Sequence, residues 1–232
     1  MTVALALILA VVPAEPVRAR PAVQRRARAV TRPKTIAGAG TAVDAERAFA
    51  ADAKALGQWT AFRKWAAPDA IMFLPQPVAA ADFLRGRTDP PAAIGWAAAE
   101  SFVSCDGTMA VNVGYSRPAP GRHGSFLTVW RKQADGAWRW AVDSGGDIPA
   151  APVVLATPVV RRASCEGEAP FFIMQKPLSG WSGDRQSKDG TLRWVASVER
   201  DGTLRYEVTL WTGRGFELVK NAVVGVTGGA AP

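Results

Sequence analysis

The sequence of 232 residues predicts an α+β fold: helices first, then a long antiparallel meander, then a carboxy-terminal β-hairpin extension. Three features carry that prediction. Alanine-rich helical periodicity runs through residues 43–67. A period of two takes over at Ser101. Aspartate–glycine corners then recur, as ADGAWRW at 134–140, DGTLRW at 189–194 and DGTLRY at 201–206.

The chain opens differently. VALALILAVV, residues 3–12, is an apolar run of ten stopped by Pro13, with no Lys or Arg before it. It is too short to cross a bilayer as a helix and suits a signal-peptide core, with small-residue cleavage options after Ala14 or Ala19. Residues 1–19 are therefore expected to direct export, to a periplasmic location. Residues 20–42 are basic, contain proline and glycine and lack periodicity, which predicts a disordered linker. The formal net charge is +8, but seven positive charges fall before residue 35. The remainder holds 21 basic and 19 acidic residues, a net of +2. The basicity belongs to a tail, which argues against nucleic acid as a partner of the folded part.

In the helical stretch, Phe49, Leu56, Trp59 and Phe62 recur at helical spacings, and Gly57 divides it into two helices. Pro68-Asp69 ends the second, and AIMFL (70–74) reads as a buried strand. A third helix is expected from Pro90-Pro91 through Trp96, capped by Asp89. Strands are expected on both sides of Asp106-Gly107 and Asp135-Gly136, at FFIM (171–174), at 191–199 and 203–211, and at 215–226. The repeated DGTLR is explained by register. A three-residue loop, Arg200-Asp201-Gly202, sets Val198 opposite Leu204, Ala196 opposite Tyr206 and Trp194 opposite Val208. Only that loop length keeps one face apolar, since a one-residue slip turns every side chain over.

Residues 43–147, within a domain expected to span 43–149, resemble the SnoaL-like and nuclear transport factor 2-like superfamily. The resemblance rests on the two alanine-rich helices, on APDAIMF after them, and on the closing hairpin TVWRKQADGAWRW. It implies a cone-like curled antiparallel sheet wrapped on three amino-terminal helices, enclosing a pocket. It also implies, for the enzymes of that superfamily, a pocket carboxylate as general base beside an oxyanion-stabilising group. Residues 150–232 depart from the compact pattern and are expected to extend the sheet or pack on it.

Asp143 and Asp147 are the candidate carboxylates, with Tyr115 or His123 as partner. The parity of Asp143 is that of Arg139 and Ala141, opposite Trp138 and Trp140, so a regular strand points it away from the interior. Asp69, Asp82, Asp89, Asp106, Asp135, Asp189 and Asp201 have sufficient reasons as turn formers or caps. Trp59, Trp96, Trp130, Trp138 and Trp140, with Tyr115, are the candidate ligand-binding side chains, and core packing is their structural alternative. Two cysteines and one histidine, far apart, have no metal-ligand spacing, and no cofactor signature occurs. Cys105 and Cys165 are free to pair in an exported protein, and the sequence leaves both states open.

The expected function is an exported protein holding a small apolar or aromatic ligand. Two alternatives remain. One is an isomerase, lyase or hydrolase with a pocket carboxylate as base. The other is an interaction module, including a homodimer built through the added strands. A carboxylate inside the tryptophan cluster favours the enzyme, whereas an open cavity of several hundred Å³ favours binding.

Overall fold

A computed structural model describes residues 40–74, 76–153, 157–171, 185–198 and 203–224. The expected leader, most of the linker, the strand beyond Phe171 and the Arg200-Asp201-Gly202 loop lie outside the described residues.

Helix α1 (Ala42–Leu56) begins within the last residues assigned to the linker, because Thr41 and Asp44 form a capping box. The Asp44 amide donates to Thr41 Oγ1 at 3.1 Å, and the Thr41 amide donates to Asp44 Oδ2 at 3.2 Å. Gly57 separates α1 from α2 (Gln58–Trp65) at φ +104°. Strand β1 (Ala66–Phe73), strand β2 (Pro77–Ala79) and the short helix α3 (Ala80–Leu84) follow.

The third helix is not where it was expected. Residues 90–94 are not helical, and Gly95–Val103 is strand β3. Asp89 caps a different helix: its carboxylate accepts from the Thr60 amide at 3.0 Å and the Thr60 hydroxyl at 2.6 Å, at the amino-terminal turn of α2. Those hydrogen bonds hold its carboxyl below the ordinary aspartate range, the Thr60 hydroxyl first among them. In β3 a bulge at Ala99, between the pairs Ala98↔Gly114 and Glu100↔Val113, interrupts the alternation. The alanine-rich segment therefore reads as helix locally, while pairing with its neighbour decides for strand.

Strands β4 (Met109–Arg117), β5 (His123–Lys132) and β6 (Trp138–Ile148) continue the meander, and β7 (Val159–Arg162) closes its far edge. The seven-stranded sheet has the order β2-β1-β6-β5-β4-β3-β7. It is mixed, not purely antiparallel, because β1 runs parallel to β6 and β7 parallel to β3. The carboxy-terminal extension is a second sheet, ordered β10-β9-β8, made of β8 (Leu192–Val198), β9 (Leu204–Trp211) and β10 (Phe216–Val224). Its first hairpin pairs Val198 with Leu204, Ala196 with Tyr206 and Trp194 with Val208, the register that keeps one face apolar.

Two cores result. One face of the main sheet packs on the helices through Phe49, Trp65, Trp130 and Trp140. The opposite face, with Val111, Leu127, Val129 and Val142, packs on Trp194, Leu204, Tyr206 and Val208 of the second sheet. By area, each fully buried indole contributes on the order of 4–6 kcal/mol before its ordering entropy is subtracted. Cys105 and Cys165 are joined in a disulfide, Cα to Cα 5.2 Å. Beside it the chain bridges both sheets: the Ala163 amide donates to Val103 O at 2.9 Å and the Ser164 amide to Trp211 O at 2.8 Å.

Two stability measurements check this account. The disulfide closes a separation of 60 residues, for which loop entropy sets a ceiling of roughly 4 kcal/mol. Replacing both cysteines by serine is expected to lower the free energy of urea unfolding by about 2–4 kcal/mol. At Gly57 a Cβ would lie 2.3 Å from Asp89 Cγ, and the backbone is left-handed. Gly57→Ala is therefore expected to cost about 1–3 kcal/mol by the same measurement.

Candidate functional site

The helix-facing side of the main sheet carries a polar row. Strand register aligns Asp143 of β6 with Thr128 of β5, Thr128 with Asn112 of β4, and Asn112 with Ser101 of β3. Thr128, Asn112 and Ser101 are each 0% exposed, whereas Asp143 is partly exposed. Thr128 Oγ1 donates to Asp143 Oδ2 at 3.0 Å. Among the described residues, Asn112 Oδ1 and Ser101 Oγ have no hydrogen-bond partner.

Glu46 lies over this row. It occupies the inward stripe of α1 with Ala42, Ala45, Phe49, Ala50 and Ala53, and is 2% exposed. Its Oε2 accepts from Trp130 Nε1 at 2.7 Å and Asn112 Nδ2 at 3.1 Å, and its Oε1 accepts from Trp96 Nε1 at 2.9 Å. An indole N–H only donates, and the amide presents its NH₂ group. The cradle therefore fits a carboxylate anion. Burial pushes the Glu46 carboxyl above the ordinary range, and the three N–H donors oppose it.

Asp143 feels both the interior and Glu46. Burial raises its carboxyl first, the Glu46 charge adds to it, the Thr128 hydroxyl opposes, and the group is pushed up to about 7. Its access follows from the strand. The next inward position of β6 is Gly145, which is exposed, and a Cβ built there would meet nothing closer than 3.5 Å. Pairing between β1 and β6 ends at Met72↔Asp143, so β6 beyond that point has no β1 neighbour.

Asp143 faces inward because of a bulge. Val129 pairs with Val142 but Trp130 pairs with Trp140, which leaves Ala141 as the extra residue. Ala141 and Val142 both join the outer core, and parity is reversed beyond them. The strand-parity expectation for Asp143 is thus overturned by one inserted residue. Asp147 shares the inward face, pairs with Gly124 and forms an ion pair with Arg122. Tyr115 and His123 belong to the other face: Tyr115 follows Met109, Val111 and Val113, and His123 precedes Leu127 and Val129, in each case by alternation. The structure does not bring either to Asp143.

The tryptophans fill the interior. Trp130 and Trp140 are 0% exposed, Trp138 4% and Trp59 6%, while Trp96 is half-buried. Trp140 Nε1 donates to Phe62 O at 3.2 Å, and Phe49 stacks edge-on against Phe62 and Trp96, both at 4.8 Å between centroids. Among the described residues no group of three or more His, Cys, Asp or Glu side chains is placed to hold a metal. Sequence reasoning passed over Glu46. The available signal was a charged residue within the apolar stripe of a helix, three positions before Phe49 and seven before Ala53.

The pH dependence of stability has a definite sign. In the unfolded chain an aspartate titrates near ~3.9, so between about pH 4 and pH 7 the native state retains a proton that the unfolded state has released. This stabilisation is complete below pH 4, falls as pH rises through 7, and is constant above. A fall on the order of 1–3 kcal/mol is expected once partial exposure is allowed for, and Asp143→Asn should flatten most of it. Glu46→Gln should lower the Asp143 midpoint, read by carboxyl ¹³C NMR titration. An unchanged midpoint contradicts the coupling.

No family model matches the chain, and no curated protein matches it. Among solved structures it is similar to a nuclear transport factor 2-like protein of unknown function from Shewanella baltica. That likeness has 15% identity and a TM-score of 0.34, and covers 47% of this chain and 98% of the other. No helix among the described residues is long and apolar enough to cross a membrane. The chain is an α+β protein with a large mixed sheet and few helices.

Proposed function

We propose that this chain is an exported, nuclear transport factor 2-like protein that accepts a small molecule at the open end of its helix–sheet interior and moves a proton through Asp143. In this proposal the main sheet curls over α1 and α2 as a cone, with Gly145 at the mouth. The reaction class is isomerase, lyase or hydrolase chemistry by general base. Export is supported by the apolar run at 3–12 and by the disulfide, which persists in oxidising compartments.

One observation carries the choice of chemistry. Asp143 is the partly exposed end of an otherwise fully buried polar row, with a neighbouring carboxylate beneath it. A carboxylate that titrates near neutrality is half ionised at pH 7, and accepts a proton with more driving force than an ordinary aspartate. Glu46 supplies the raising charge and stays shielded from the ligand. Thr128 holds Asp143 Oδ2 and leaves Oδ1 for the incoming proton. Ligand holding without turnover is the second reading. The buried indoles weigh equally on both readings, since they leave little room for any ligand beyond the mouth.

The test uses exchange of carbon-bound hydrogen. The full chain is incubated in D₂O with a panel of small ketones and β-dicarbonyl compounds, and deuterium incorporation is followed by NMR. Wild type is expected to accelerate exchange of at least one compound with a midpoint near pH 7, and Asp143→Asn to slow it by roughly 10²–10⁴-fold. If both proteins exchange equally, the proton-transfer proposal fails. Amide shift changes at Thr128 and Gly145 without exchange would then support ligand holding alone.

A further inference from the structure

We infer that β6 carries a docking slot for an extended peptide, which pairs by backbone hydrogen bonds with Ser144–Ile148 in line with β1. The slot opens at the mouth of the proposed function and rests on that reading's open end, though not on proton transfer by Asp143.

Strand β6 has two neighbours for only part of its length. On one side β5 pairs with it as far as His123↔Ile148. On the other side β1 stops at Met72↔Asp143. It stops because it turns away: the Leu74 amide donates to Gln76 O at 3.0 Å, and β2 pairs back along the far side of β1. Among the described residues, no strand takes the place of β1 beside Ser144–Ile148, and no loop backbone bonds to it. Alternate residues of a strand turn their N–H and C=O groups to the same side. The open side therefore presents the N–H groups of either Gly145 and Asp147 or Gly146 and Ile148. Such a row of unpaired backbone groups is a template for another strand.

The composition of the segment suits a close approach. It reads SGGDI, with no lysine or proline of the kind that ordinarily blunts an edge. Its one charge, Asp147, is paired with Arg122. Glycine inside a strand weakens it, and it marks places where another backbone comes near. Nothing within the chain requires the glycine at 145. Its backbone is not left-handed, and a Cβ would stand in ordinary contact, 3.5 Å from Ser125 O. Gly145 is exposed, and Gly146, Asp147 and Ile148 are half-buried.

Length and charge identify the occupant. Ser144–Ile148 spans about 13–16 Å, room for four or five extended residues. Two copies of the chain meeting over that length alone would bury far less than the roughly 1,200–2,000 Å² of a stable dimer. Arg122 and Asp147 neutralise one another, and the Asp143 and Glu46 carboxyls at the near end disfavour an acidic partner. Recognition falls to the backbone, so the slot fits a neutral segment of β-forming residues. Leu74, 40% exposed at the head of the slot, adds apolar surface for a peptide side chain.

The test follows amide hydrogen exchange by NMR in the full ¹⁵N-labelled chain, with and without the neutral blocked peptide acetyl-TVTVT-amide. In the free chain, one of the two residue pairs named above is expected to exchange on the order of 10²-fold faster than the other. The peptide is expected to protect that faster pair saturably. Two analogues, N-methylated at the valines or at the threonines, separate edge pairing from other contacts, because only alternate N–H groups of a docked strand face β6. One analogue is expected to bind within about threefold of the parent and the other to lose at least about tenfold. Protection of both pairs in the free chain would show the edge already covered and overturn the inference. Protection that grows with protein concentration would assign the edge to a second copy and overturn it as well. So would equal affinity of the two analogues, or no saturable protection by the parent peptide. Peptide protection without deuterium incorporation in the ketone panel leaves this inference standing while the proton-transfer proposal fails.

Discussion

The Glu46 carboxylate and its three N–H donors constrain everything on the helix side of the sheet. A carboxylate removed from water without donors costs several kcal/mol, so Trp96, Trp130 and Asn112 must stay within hydrogen-bond reach of it. Those donors come from β3, β5 and β4, and Glu46 comes from α1. One ionisable side chain thus ties the first helix across three strands. The ring contacts of Phe49 and the burial of Trp65 and Trp140 follow from seating α1 there. Burial first, and then the same charge, push the Asp143 carboxyl up to about 7.

The second determinant is a single extra residue. Without the Ala141 bulge, Asp143 would lie on the outer face, against the carboxy-terminal sheet, and Val142 would take its place among the helices. An ionised aspartate between two apolar sheets would be far less tolerable than one at an open end. The bulge therefore serves packing and site geometry together: it sends Ala141 and Val142 into one core and releases the carboxylate toward the other side. Gly145 completes the arrangement by leaving the space beyond Asp143 free of a side chain.

The carboxy-terminal layer covers the outer face of the main sheet, with Tyr206, Val208 and Leu204 set against Leu127, Val129 and Val142. The layer is fastened at one corner by the disulfide, the hydrogen bonds from the Cys105 and Asp106 amides to Thr191 and Asp189, and the strand-to-strand bridge of residues 163–164.

Periodicity and turn chemistry, read from the sequence alone, determined the two alanine-rich helices broken at Gly57, the hairpin corners, and the register of β8 with β9. Each of these depends on neighbours within a few residues or on the period-two rule applied to one hairpin. Three matters were decided only by tertiary structure. The alanine-rich segment around Trp96 became a strand because β4 was there to pair with it. Asp143 turned inward because a bulge in the β5–β6 pairing shifted its parity, and a bulge leaves no mark in alternation read one strand at a time. Glu46 became an interior hydrogen-bond acceptor because its donors, 50 to 84 residues away in the chain, converge on it only after folding. Local patterns record what a segment prefers, while the partners that settle a buried charge or a strand's face are supplied from elsewhere in the fold.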